Sequence, residues 1–390
     1  MKFIIFLSIM LLFLFGLHFL FFTSLIHFFS ISRAGLKTIL YTAMVLLTFS
    51  FISSFFLLHW RENLWTIGYY KSAALWTGAL IHFAVAVVII WIIIGIGALA
   101  GYPIHRQALA VFFLSAAICG SVYGVWSSFH PVVRQLTVAI KNLPKNWEGK
   151  TIAQLSDIHL GYFYGKKFCE RIVEQVNALK PDMVAVTGDI LDGMGGDFSG
   201  RLEPINRISA PLGAFFVTGN HEYYVGIDRA LSILKKTQLR ILNNELVNIE
   251  GVEVIGVDYP GIGSRNEIAN LAEDNPVHTA RILLFHTPTN LQLNAFDPSG
   301  QHAAAYWTPD TTYALSKQLH IDLQLSGHTH HGQIFPFNYL TRLLFKGHDY
   351  GLTRDGAFQL YTTAGTGSWG PPMRTSGRPE IVLIRLKSGE

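Results

Sequence analysis

The 390-residue chain is half hydrophobic, with a mean hydropathy of +0.32 and a formal charge of +4. Charge divides it: residues 1–145 hold nine Lys/Arg against one Asp/Glu, and residues 146–390 hold 21 against 25. The basic pI therefore belongs to the apolar first third, while the acidic remainder lacks the positive field that binding a phosphate backbone requires, so no nucleic-acid partner is expected.

Four apolar runs come first, at residues 3–30, 37–59, 75–100 and 107–129. Apart from Lys37 at the edge of the second, they lack Asp, Glu, Lys and Arg, and each is long enough to cross about 30 Å of hydrocarbon as a helix. The first far exceeds the apolar core of a signal peptide and is read as a retained span. Trp60, Trp65, Tyr69, Tyr70 and Trp76 are expected at the membrane interface. His82, inside the third span with no acidic residue in any span, is expected to be neutral and hydrogen-bonded between helices. Lys2, Arg61, Lys71, Arg134, Lys141 and Lys145 outnumber Arg33, Lys37 and Arg106 across the bilayer, which favours a multi-pass cell-membrane protein with both termini in the cytoplasm. Cys119 and Cys169 match neither a disulfide framework nor a metal-ligand spacing.

From Pro131 the texture changes, dividing a membrane region, 1–130, from a C-terminal domain, 131–390. Strands are expected at Val132–Ile140, Thr151–Leu155, Met183–Thr187, Ala214–Thr218, Val252–Val257, Ile282–Phe285 and Leu323–Leu325. Helices are expected at Lys167–Leu179, Ile227–Thr237 and Thr311–Leu319. The alternation predicts an α/β or α+β layered domain with ligands gathered at strand ends.

Five polar clusters follow predicted strands: Asp157-Ile-His159, Gly188-Asp189, Gly219-Asn220-His221-Glu222, His286, and Gly327-His328-Thr329-His330. Strand ends along one sheet edge bring such groups into a single cavity. Imidazole and carboxylate without thiolate suit Mn, Fe, Zn or Co, and the i, i+2 pairs would aim both side chains one way on extended backbone. Asp157, His159, Asp189, Asn220, His286, His328 and His330 are enough to hold two divalent cations, with Asp189 suited to bridging. Two such ions would clamp a phosphate and lower the pKa of a bridging water to yield hydroxide near neutral pH.

The order D-x-H, GD, GNH-E, H, GH-x-H resembles the calcineurin-like metallophosphoesterase superfamily. The resemblance implies a β-sandwich flanked by helices and a metal-dependent phosphoester hydrolase, either a phosphodiesterase or a phosphomonoesterase. It assigns Asp157, His159, Asp189 and His330 to one metal, and Asp189, Asn220, His286 and His328 to the other. His221 would contact the substrate phosphate and protonate the leaving group; Glu222 would orient it or cap the next helix.

LPKNWEGKTIAQLSDIHLG, GDILDG, LSGHTHHGQIFP and GTGSWGPPMR are further similar to membrane-associated YkuE-type and transmembrane metallophosphoesterases. His331 stands where Gly is more usual and would add a polar contact at the pocket. Asn290–Thr308 would form a substrate-selecting loop, and Arg374 would bind a substrate phosphate or make a structural salt bridge. The bilayer and a phosphoester are the expected partners, with the substrate lipid-linked or membrane-proximal. The alternatives are a membrane sensor with phosphoesterase output and a pyrophosphohydrolase of a nucleotide-linked lipid.

Overall fold

A computed structural model describes residues 2–262, 279–291 and 308–389, so most of the Asn290–Thr308 loop lies outside the described residues. The chain forms two units, residues 1–126 with 370–375, and residues 127–369 with 376–390.

The first unit is built on α1 (Lys2–Phe28), α2 (Ala34–Trp60), α3 (Leu64–Leu99) and α4 (Arg106–Ser128), all long and apolar enough to cross a membrane. α3 starts at Leu64 rather than near residue 75. Asn63 caps it by accepting from the N–H groups of Trp65 and Thr66, while Thr66 Oγ1 accepts from the Asn63 N–H. Two rings expected at the interface are consequently inside this unit: Tyr70 is fully buried, and Trp76 donates its Nε1–H to His18 Nε2 at 2.9 Å. His82 is hydrogen-bonded as expected, with Nδ1 2.9 Å from Ser121 Oγ on α4 and Nε2 2.9 Å from Thr375 Oγ1. Helix glycines admit the returning segment 370–375: a Cβ on Gly124 would lie 2.6 Å from Met373 Cγ.

The second unit is a sandwich of two six-stranded sheets. One runs β1 (Val132–Ile140), β12 (Glu380–Ser388), β2 (Thr151–Leu155), β3 (Met183–Thr187), β4 (Ala214–Val217), β5 (Arg240–Ile241). The other runs β10 (Gly351–Asp355), β11 (Phe358–Thr362), β9 (Leu323–Ser326), β8 (Arg281–Phe285), β7 (Val252–Val257), β6 (Glu245–Ile249). β2 to β5 are mutually parallel, as are β7, β8, β9 and β11.

The central strands β2, β3, β4, β7, β8, β9 and β11 are buried along their whole length because both faces are covered. Ile152, Ala185, Val217, Ile282, Leu325 and Ile384 point into the core between the sheets. Their neighbours Ala153, Val184, Val186 and Phe216 point the other way, onto α5 (Lys166–Ala178), α6 (Ser199–Leu202) and α8 (Ile227–Leu234). Ile255, Leu283 and Phe285 face α9 (Ala314–Gln318) across the second sheet. α5 shows how pattern becomes packing: Phe168, Cys169, Ile172, Val173 and Val176 recur at helical spacing and form its buried stripe. Gln154 of β2 is buried between the sheets, donating to Thr187 Oγ1 at 3.1 Å and to the Ser326 carbonyl at 3.0 Å, and so pins the two sheets together beside the loops that follow β3 and β9.

Candidate metal centre

Parallel strands bring the polar clusters together. Asp157 and His159 follow β2, Asp189 follows β3, Asn220 and His221 open α7 (Asn220–Val225) after β4, His286 follows β8, and His328 and His330 follow β9. The backbone there is not the extended run expected from the i, i+2 spacing. Asp157, His159, Asp189, His328 and His330 have φ between +51° and +72°, in the left-handed region. Each non-glycine residue there costs roughly 1–2 kcal/mol, so strain is stored in the ligand loops. What over-determines it is a ladder between the first two loops: the N–H groups of Asp157, His159 and Leu160 donate to the carbonyls of Gly188, Asp189 and Ile190 at 3.0, 3.1 and 2.9 Å.

Two glycines allow the carboxylates this close. A Cβ on Gly219 would sit 2.2 Å from Asp189 Oδ1, and one on Gly327 would sit 2.2 Å from Asp157 Oδ2. In their place backbone N–H groups approach: His221 N donates to Asp189 Oδ1 at 2.8 Å, and His328 N to Asp157 Oδ2 at 3.0 Å.

The seven expected ligands converge in two overlapping sets. In the first, His159 Nε2 is 3.1 Å from His330 Nε2, and His330 Nε2 is 3.2 Å from Asp157 Oδ1. In the second, His286 Nε2 lies 3.3 Å from Asp189 Oδ2 and 3.0 Å from Asn220 Oδ1, with His328 Nδ1 2.9 Å from Asn220 Oδ1. Asp189 Oδ2 is also 3.9 Å from His159 Nε2, so this carboxylate faces both sets.

A divalent ion holding nitrogen and oxygen at about 2.0–2.2 Å places neighbouring donors about 3.0–3.5 Å apart, and most of these separations match. The donor chemistry fits as well. His286 Nδ1 lies 2.9 Å from the Thr187 carbonyl, to which it donates, so Nε2 is the nitrogen at which a bound ion would replace a proton.

Electrostatics follow from burial. Burial opposes charge on Asp157 and Asp189, but the surrounding imidazoles hold both carboxylates below their ordinary range. Burial likewise opposes charge on His286, yet Asp189 beside it raises it to about 9. His328 is lowered to about 3 by burial and by the His286 charge.

His221 lies beside the cluster, its ring 4.4 Å from that of His159 between centroids, and burial lowers its pKa. Its Nδ1 accepts the Gly193 N–H at 3.1 Å, so a neutral His221 carries its proton on Nε2. Glu222 does not orient it. Both Glu222 oxygens are taken by backbone: Oε2 accepts from Asp189 N and Gly219 N at 2.9 and 2.8 Å, and Oε1 accepts from Leu191 N at 3.1 Å. The second of these is the N-terminal cap of α7. Burial and the Asp189 charge push the Glu222 carboxyl up to about 8, against the pull of its three donors.

Arg374 is not among the ligand loops. It is buried within 370–375, which groups with the helices, and its N–H donates to the Gly124 carbonyl at 2.9 Å. His331 is half-buried, with Nδ1 2.9 Å from Asp349 Oδ2, and its φ of +48° explains why glycine would be at ease there. Gly193 and Asp349 carried no sequence signal, since one acts through its backbone and the other is distant in the chain. Tyr224 and Trp369, whose rings lie 5.0 and 6.4 Å from that of His221, stand outside the metal motifs.

Residues 150–332 match the family model for calcineurin-like phosphoesterases, and the chain belongs to this family. It is 33% identical over 294 residues to an uncharacterized metallophosphoesterase of Campylobacter jejuni, covering 73% of this chain and 72% of that one. A transmembrane protein with metallophosphoesterase domain from Danio rerio is 32% identical over 72% of this chain and 63% of its own length. The metallophosphoesterase YkuE of Bacillus subtilis is 27% identical over 73% of this chain and 98% of its own.

Proposed function

We propose that the protein is a membrane-associated hydrolase of phosphoester bonds that works with two divalent metal ions. The observation that carries this reading is the convergence of seven nitrogen and oxygen donors in two sets that share Asp189. Asp157, His159, Asp189 and His330 would hold one ion, and Asp189, Asn220, His286 and His328 the other. When bound, such ions neutralise phosphate charge and make a water acidic enough to attack near neutral pH.

The chain's own residues do the rest. The backbone N–H groups of His221 and His328 fix the two carboxylates, so the donor set is preorganised. Gly193 holds His221 with its hydrogen on Nε2, the form that can donate a hydrogen bond to a leaving oxygen and stabilise its developing charge.

The test is hydrolysis of bis-p-nitrophenyl phosphate and p-nitrophenyl phosphate by detergent-purified protein, with Mn²⁺ or with chelator. Metal-dependent turnover is expected, and Asp189→Ala, which removes the shared carboxylate, should lower it by about 10³-fold or more. Protein that binds no divalent metal would overturn the reading. The preferred ester distinguishes a diesterase from a monoesterase.

A further inference from the structure

Among the described residues of the second unit, the most exposed apolar surface lies beside the candidate metal centre. α10 (Phe337–Leu344), the helix that follows the GHTHH turn, has no buried residue. Phe335 just before it and Tyr339, Leu340 and Leu343 on it are exposed to 40%, 66%, 44% and 74%. Positions 339, 340 and 343 fall on one face of the helix, and the Phe335 ring lies 6.0 Å from that of Tyr339, so these groups form a continuous stripe. Leaving three large apolar side chains in water on an eight-residue helix is unfavourable, and such a patch marks a docking surface.

Chemistry and chain connectivity identify what covers it. Residues 331–348 contain no Asp or Glu, and the exposed Arg342 and Lys346 flank the stripe. An apolar stripe edged by cations is the composition of a helix lying in the headgroup layer of a bilayer. α4, an apolar helix of membrane-spanning length, ends at Ser128, and β1 begins at Val132, so the second unit is tethered within a few residues of the lipid.

α10 is also joined to the ligands. Gly332, which follows His330 and His331, packs so tightly on α10 that a Cβ there would lie 2.3 Å from Asn338 N. At the other end, the Phe345 ring is 6.3 Å from that of His328. Gln333 binds both the carbonyl and the N–H of Trp369, a half-exposed ring that reaches His221. A chain of contacts therefore runs from the segment preceding α10 through Gln333 and Trp369 to His221.

We propose that the exposed face of α10 lies in the headgroup region of the membrane and seats the metal centre there, so that the bond cleaved belongs to a phosphoester of a membrane lipid. This rests on the hydrolase reading given above. A helix lying in the interface buries its apolar face by about 5–10 Å, into the boundary between headgroups and acyl chains.

The test uses full-length protein in vesicles of mixed zwitterionic and anionic phospholipid. On a Cys119→Ser background, Leu343→Cys and Tyr339→Cys carry an environment-sensitive fluorophore, and Glu174→Cys on exposed α5 serves as control. Acyl-chain nitroxide lipids should quench the two α10 labels about twofold and leave the control unchanged, while iodide on both sides of the membrane should quench only the control. Iodide quenching of the α10 labels, or protection from both quenchers as beneath a second copy, overturns the proposal. This measurement needs no turnover, so its failure is separable from failure of the hydrolase reading. In a second arm, Tyr339→Ser/Leu343→Ser should lower the ratio of turnover on a fluorogenic phospholipid ester to that on bis-p-nitrophenyl phosphate by about tenfold. An unchanged ratio removes the lipid substrate.

Discussion

Replacing Glu222 separates a structural role from a catalytic one. Its carboxylate is fully buried and satisfies three N–H groups, those of Asp189, Leu191 and Gly219, on the loops after β3 and β4. Glu222→Ala leaves three buried donors unpaired at about 1–3 kcal/mol each, or about 3–6 kcal/mol allowing for relaxation. For a unit of this size that is a fall of roughly 10–20 °C in Tm. Glu222→Gln keeps an oxygen for the two donors on Oε2 but turns an amide NH₂ toward Leu191 N–H, and should cost about 1–3 kcal/mol. Calorimetry in detergent reads both, with bound metal measured on the same samples, because Asp189 sits on one of the released loops. A Glu222→Ala protein that keeps its Tm within about 2 °C, yet loses turnover on both nitrophenyl esters, would refute this account and restore Glu222 as a partner of His221.

Other perturbations test other parts of the site. Gly219→Ala and Gly327→Ala each push a methyl to within 2.2 Å of a candidate metal-binding carboxylate, and metal affinity by titration should fall about 10–100-fold while the fold persists. His221→Asn should slow a diester with an alkyl leaving group by about 10²–10⁴-fold, slow the p-nitrophenyl ester far less, and leave bound metal unchanged; equal losses on both esters would exclude a proton-donor role. Asp322, which accepts the Arg281 N–H at 2.8 Å, is pushed by burial from 3.8 to about 6. Because the folded state holds this proton more tightly than the unfolded chain, the contribution is fully present below about pH 4 and lost as pH rises to about 6. Allowing for its partial exposure the effect is about 1–2 kcal/mol, and Asp322→Asn should flatten that part of a stability–pH curve.

The sequence made the ligands legible because their signal is local: a short apolar strand, then a small group of His, Asp, Asn and Gly. Strands such as β3 and β4 were equally readable, since residues buried on both faces leave nearly unbroken apolar runs. What stayed hidden depends on partners far away in the chain. β12 pairs with β1 across more than two hundred residues, and Glu222 is satisfied partly by N–H groups about thirty positions earlier. Arg374 lies in a Gly/Pro-rich loop whose composition does not say which unit will receive it. The left-handed ligand backbone was hidden as well, because i, i+2 spacing is compatible with a strand and with these strained loops.

His331 shows how such a non-local partner permits a local departure. At φ +48° a histidine costs roughly 1–2 kcal/mol more than glycine, and its hydrogen bond to the buried Asp349 at 2.9 Å returns an amount of similar size. His331→Gly should therefore shift stability by no more than about 1 kcal/mol, with Thr341 Oγ1 still donating to Asp349 Oδ2. His331→Ala keeps the strained backbone and loses the hydrogen bond, and should cost about 1–2 kcal/mol. An ordinary helix or strand position would show the reverse order, alanine milder than glycine. Unfolding midpoints for the two variants decide the matter: if alanine proves the milder change, the backbone at 331 is not strained, and the acid at 349 is not what permits histidine at a position where glycine is more usual.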